Sequence, residues 1–137
     1  MNAKTYLNQL RHYDAVIDRR YAELAELKAK RLMLQSFDYS KDRVKTSANF
    51  EGGFENSITK IVDMEKKLDA MADELIDLRE KIAKQINALD AVYADVLYDR
   101  YILYMSFDAI AKNLHYSYSH TCHLHGWALK EFEKRYL

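Results

Sequence analysis

Apolar residues recur along the first third of the chain with the spacing of a helix. Leu10, Ile17 and Leu24 lie seven apart, and Tyr13, Leu27 and Leu34 occupy the interleaved position, which predicts a helix from Ala3 to about Leu34. Arg20 and Arg31 interrupt that seam without breaking it, because an arginine lays its stem along apolar surface and keeps its head in water. Residues 57–89 repeat the pattern more strictly. Ile61, Leu68, Leu75, Ile82 and Leu89 mark one seam position, and Met64, Met71 and Leu78 the other, with Gln85 the one polar member. A period of 3.5 residues predicts left-handed coiled-coil packing against a facing helix. Between the two, residues 36–56 lose all periodicity and contain Gly52-Gly53, so they read as a loop or linker. The pattern therefore predicts a long antiparallel coiled-coil hairpin over residues 1–89, a parallel dimer of the second helix being the alternative.

Residues 90–137 change rhythm. Ala91 to about Tyr104 is predicted as a helix burying Val92, Val96, Leu97, Tyr101 and Ile102, with Asp90 placed to cap it. Phe107, Ile110, Ala111 and Leu114 then mark one short amphipathic helix, and Thr121, Leu124, Ala128, Leu129 and Phe132 a second. The HYS between them is a turn of the length a helix-turn-helix allows. Ser117 is placed to cap the second helix, and Ser106 or Asp108 the first. In such a motif the second helix enters the DNA major groove and its N-terminal residues meet base edges. Here those are Tyr118, Ser119, His120, Cys122 and His123, with Ser117 before them and Lys112, Lys130, Lys134 and Arg135 as phosphate contacts. The expected fold class is all-α: hairpin 1–89, helix-turn-helix 90–137.

Composition changes this picture in one respect. The absence of proline and the three glycines among 137 residues suit long helices. Lys+Arg and Asp+Glu balance at 21 each, whereas DNA binders draw much of their affinity from neutralising phosphates. Within residues 92–137 the balance is again even, five basic against five acidic, although His115, His120, His123 and His125 are reserve cations. A single cysteine makes no internal disulfide, the charged N-terminal stretch is not a signal peptide, and no apolar run reaches membrane-spanning length. A cytoplasmic protein is expected, without a membrane.

The segments LYDRYI, SFDAIAKNLHYS and LHGWALKEFE resemble the C-terminal domain of sigma factors (sigma-70 region 4). They are closer still to the ArpU/RinA-type late transcription regulators of phages and prophages of Gram-positive bacteria, in which a helical N-terminal half precedes a sigma-like helix-turn-helix. YLNQLR near the start, DRV in the linker and KIVDMEKKLDAMADELIDLREKI extend the resemblance over nearly the whole chain. The resemblance implies a phage-encoded, DNA-binding activator of late or packaging genes, with double-stranded DNA as its partner; a sigma-like activator also touches RNA polymerase, and a two-fold DNA site requires a homodimer. One departure stands out: Trp127 occupies a place where a basic residue is common.

Other constellations carry less. HTCHLH at 120–125 suggests a metal site, but on a helix only His120/His123 and Cys122/His125 share a face, and the two pairs point in nearly opposite directions. His125 is expected to pack inward, with His120 and His123 exposed. Cys122 lacks an orienting third group for nucleophilic chemistry, and the mixed charges of residues 63–84 read as a solvated coiled-coil face. No cofactor and no catalysis are expected. The rival to a DNA reader is a protein-interaction module, favoured by neutrality and by the tyrosines of residues 98–118.

Overall fold

Long helices follow from a sequence with nothing to stop them, and the computed structural model is helical throughout its ordered elements. It describes residues 1–40 and 48–137, the side chains of residues 35, 37–40 and 48–55 excepted, and no strand occurs among the described residues. Helix α1 spans Ala3–Ser40 and α2 spans Ala48–Asn87. Both therefore run into the stretch 36–56 expected to be a loop, and only residues 41–47, which include DRV, lie outside the described residues. The reason is cooperative: once a helix is nucleated, each added residue gains a hydrogen bond, and serine, aspartate and even the Gly52-Gly53 pair weaken propagation without the block that a proline imposes.

Two compact units are present, Met1–Asp14 with Glu74–Leu137, and Ala15–Asp73. The boundary expected at residue 89/90 lies inside the first of them.

In the first unit, Ala3, Leu7 and Leu10 of α1 and Ile82 and Ile86 of α2 share a core with Ala94, Leu97, Tyr101, Ile102, Ala128 and Phe132. The Tyr6 hydroxyl donates to Gln85 Oε1 at 2.9 Å, which satisfies the one polar residue of the α2 seam, and Tyr13 donates to Glu74 Oε2. These pairs run in opposite chain directions, so the two segments are antiparallel here. Helix α3 (Ala91–Leu97) is shorter than the helix expected to reach Tyr104. Its end widens into a π-helical turn over Tyr98–Ile102, closed by Leu103 N–H to the Tyr98 carbonyl at 3.1 Å, and Tyr104 then takes a left-handed φ of 58°. Asp99, Tyr101 and Ile102 are all buried in this turn. Asp99 accepts from Asn113 Nδ2 at 2.9 Å, so the buried carboxylate has a partner. Val92, expected in the core, is 42% exposed, and Ala94 takes its place. Asp90 stands at the start of α3 but makes no side-chain cap bond.

Helices α4 (Phe107–Leu114) and α5 (Tyr118–Tyr136) follow. Ser106 Oγ accepts from Ala109 N–H at 3.2 Å, so the serine and not Asp108 caps α4; Ser117 Oγ accepts from His120 N–H at 3.1 Å and caps α5. Helix α4 ends on His115 at φ 61°, a left-handed cap ordinarily given to glycine. His115→Gly is therefore expected to raise stability by about 0.5–1 kcal/mol, the relief of left-handed strain offset in part by a freer unfolded chain. An upward shift in the urea midpoint at unchanged slope checks it.

In the second unit, Leu24, Ile61 and Leu68 are buried with Met64 and Met71 packed against them, and Lys28 pairs with Glu65. Leu27 and Leu34, expected on the seam, are 38% and 60% exposed. A helix of 3.6 residues per turn drifts by about 20° for every seven-residue repeat, so the later members of a heptad rotate off the contact line. No helix among the described residues is long and apolar enough to cross a membrane.

Candidate nucleic-acid interface

The buried side of α5 fixes what its other side presents. Thr121, Leu124, Ala128 and Phe132 are buried, and Thr121 Oγ1 donates to the Ser117 carbonyl at 2.9 Å, so its hydroxyl is satisfied without solvent. At 100° per residue the opposite face carries Ser119, His123, Lys130 and Lys134, with Trp127 beside them. All five are exposed. Of the residues expected to meet DNA, the fold thus gathers Ser119, His123, Lys130 and Lys134 into one outward stripe.

The others lie around it. Tyr118 and Cys122 sit one turn apart on one flank, Tyr118 exposed and Cys122 half-buried. The neighbouring Cys122 raises the Tyr118 hydroxyl pKa above its ordinary value. His120 lies on the other flank, edge-on to Tyr116 with ring centroids 5.0 Å apart. Ser117 spends its oxygen on the α5 cap, which makes it a positioning group. Lys112 is exposed in the last turn of α4.

Two exposed rings escaped the selection of site residues. Trp127 is 47% exposed and stacks on His123 with centroids 6.0 Å apart, and Tyr116 carries His120. The signal for Trp127 was its place four residues after His123, on the same face.

The inward histidine is different in kind. His125 Nε2 and the Tyr101 hydroxyl share a hydrogen bond of 2.8 Å, the rings stack at 5.7 Å, and Phe107 meets His125 edge-on at 4.9 Å. Burial, reinforced by Arg100 and Lys4, lowers its pKa from 6.5 to about 4, and burial pushes the Tyr101 hydroxyl up to about 12. Both groups are neutral near pH 7. The unfolded chain binds a proton on this imidazole near 6.5 and the folded chain only near 4, so stability is lost as pH falls through that window and levels off below it. A partly solvated ring discounts the effect to roughly 1–2 kcal/mol. Urea midpoints at pH 7 and at about pH 4.5, compared between the wild type and His125→Phe, isolate this contribution, which the variant is expected to lack.

The metal reading of HTCHLH meets the same geometry. His125 turns inward while His120 and His123 face outward, and no group of three or more metal-binding side chains occurs among the described residues.

Charge is distributed less evenly than the count suggests. Arg100 donates to the Met105 carbonyl at 2.9 Å and lies 4.3 Å over the Phe107 ring, and Arg135 donates to the Ala88 carbonyl at 2.8 Å. Arg135 is thus turned to the end of α2. Lys112, Lys130 and Lys134 are the basic residues of 92–137 left to face a ligand, opposed by exposed Asp108, Glu131 and Glu133. No family model, curated protein or solved structure matches the chain.

Proposed function

We propose that the protein is a phage- or prophage-encoded transcriptional regulator that binds double-stranded DNA. In this reading an antiparallel coiled-coil hairpin of residues 1–89 precedes a sigma-70 region 4-like helix-turn-helix over residues 90–137. It acts in the cytoplasm of a bacterial host as an activator of late or packaging genes, with no catalytic step and no cofactor. The observation that carries the reading is α5: a serine-capped helix whose inner face is anchored by Thr121, Leu124, Ala128 and Phe132 and whose outer face aligns Ser119, His123, Lys130 and Lys134. Ser119 and His123 stand in its N-terminal half, where base edges are met, and the lysines follow where the helix leaves the groove for the backbone.

Fluorescence anisotropy with duplex DNA at about 50 and 200 mM salt tests it, because each neutralised phosphate adds about 0.9 to the salt slope. The wild type is expected to bind with a clear salt dependence. Lys112→Ala/Lys130→Ala/Lys134→Ala is expected to reduce the slope by about 2–3 and to weaken binding similarly on all sequences, whereas Ser119→Ala/His123→Ala weakens the preferred site selectively. A wild type that stays free at low salt sinks the reading.

A second reading rests on Trp127, Tyr116 and Tyr118, all exposed around α5. Tryptophan and tyrosine are preferred anchors in protein interfaces, and in this reading the α5 face docks on RNA polymerase or another regulator with little DNA affinity of its own. Loss of polymerase capture on Trp127→Ala, with DNA binding absent throughout, selects it.

A further inference from the structure

A glycine inside a helix is destabilising relative to alanine, because it leaves the unfolded chain more conformational freedom to lose. Gly126 stands near the middle of α5, and the helix runs through it unbroken from Tyr118 to Tyr136. None of the usual reasons for a glycine applies within the fold. Its φ is not positive, so no left-handed turn requires it, and the caps of α5 are Ser117 and Leu137. A Cβ added at Gly126 would meet no atom within 4 Å, its chain neighbours and the adjoining backbone of α5 aside. Close packing against another helix therefore does not require it either. The missing side chain clears space outside the protein.

We infer that Gly126 is the point where the sugar–phosphate backbone of duplex DNA comes closest to α5, with Lys130 one turn on to pair with the phosphate beside it. The inference rests on the DNA-binding reading and names a contact within it. At 100° per residue Gly126 lies about 20° from Ser119 and about 40° from Lys130, on the flank of the outward stripe. A helix with its side chains is about 10–12 Å across and the major groove about 12 Å wide, so a helix in the groove has almost no clearance at its flanks. The other flank of α5 is filled by the rings of His120 and Trp127, both exposed. Only on the Gly126 side does the helix have room to move against the wall of the groove. Charge selects that wall as the occupant. Lys130 is exposed and enters no ion pair among the described residues. Glu133, the carboxylate nearest the same line, accepts from the Ala3 N–H at 3.3 Å and is thus turned to the start of α1.

The test compares the full-length wild type, Gly126→Ala and Gly126→Leu in two measurements. One is thermal unfolding without DNA; the other is fluorescence anisotropy with a random-sequence duplex across a salt series. Both variants put a better helix former into open space. Gly126→Ala is expected to raise the thermal midpoint by about 3–5 °C, and Gly126→Leu not to lower it. Binding is expected to move the other way, about tenfold weaker for Gly126→Ala and about a hundredfold for Gly126→Leu, as each added carbon holds α5 off the backbone. The salt slope is expected to fall by about 1 as the Lys130 contact is lost. A residue that serves only the fold does not raise stability and lower affinity together. A wild type that stays free of the duplex at low salt sinks the DNA reading and the inference with it. A wild type that binds, while both variants match it in affinity and slope, overturns the inference alone, and so does a thermal midpoint lowered by Gly126→Ala.

Discussion

A fragment of residues 90–137 alone is expected to lack a cooperative unfolding transition, although it contains α3, α4 and α5 entire. Five members of the core that these helices share come from elsewhere: Ala3, Leu7 and Leu10 from α1, and Ile82 and Ile86 from α2. Leu7, Leu10, Ile82 and Ile86 are each 0–1% exposed. Burying a large aliphatic side chain contributes about 1.5–3 kcal/mol, so removing four forfeits roughly 6–12 kcal/mol, as much as most small domains possess in total. The tie is also polar, since Glu133 accepts from the Ala3 N–H at 3.3 Å and Arg135 donates to the Ala88 carbonyl. Far-UV circular dichroism with a thermal ramp reads the result. A sharp transition at the midpoint of the full chain means that the α1 and α2 contacts are incidental.

The expectation for that fragment runs against the boundary at residue 89/90, and the contrast shows where sequence reading was strong. Local signals were legible. Ser106 and Ser117 precede their helices by one residue and satisfy N–H groups three residues on, a relation that needs no tertiary structure. The inward stripe of α5 is likewise a matter of spacing, and it placed Thr121, Leu124, Ala128 and Phe132 correctly.

What depended on distant partners was hidden. Ile86 lies off the heptad of α2 and is fully buried all the same, because the core it enters is made with α1, α3 and α5 rather than with one facing helix. Tyr98–Ile102 has the apolar spacing of an ordinary helix, and the π turn that carries Asp99 inward is visible only with Asn113 in place. Arg100 and Arg135 count as free cations in a sequence tally, and the fold commits both to backbone carbonyls. The candidate site was therefore legible as a face of one helix, and its usable charge was not.

Phe132→Ala is expected to destabilise the protein by about 3–5 kcal/mol, the range for emptying an aromatic site in a close-packed core. Phe132 is 0% exposed, and its ring lies 5.8 Å from that of Tyr6 and 4.9 Å from that of Tyr136, so one side chain joins the start of α1 to the end of α5. Its removal costs the buried ring area and two aromatic contacts, and the surrounding Leu7, Ile82 and Ile86 are held by long helices that collapse poorly into the space. Trp127→Ala, on the opposite face of the same helix, is the matched comparison: it deletes a larger ring, yet an exposed substitution shifts stability by at most about 0.5 kcal/mol. Urea unfolding of the pair separates anchor from contact surface. Equal losses from both, or a Phe132→Ala loss under about 1 kcal/mol, means that α5 does not dock through Phe132 and that the outward stripe has no fixed support. The expected result, a large loss from Phe132→Ala and none from Trp127→Ala, leaves any change in DNA or polymerase binding by Trp127→Ala attributable to the face itself.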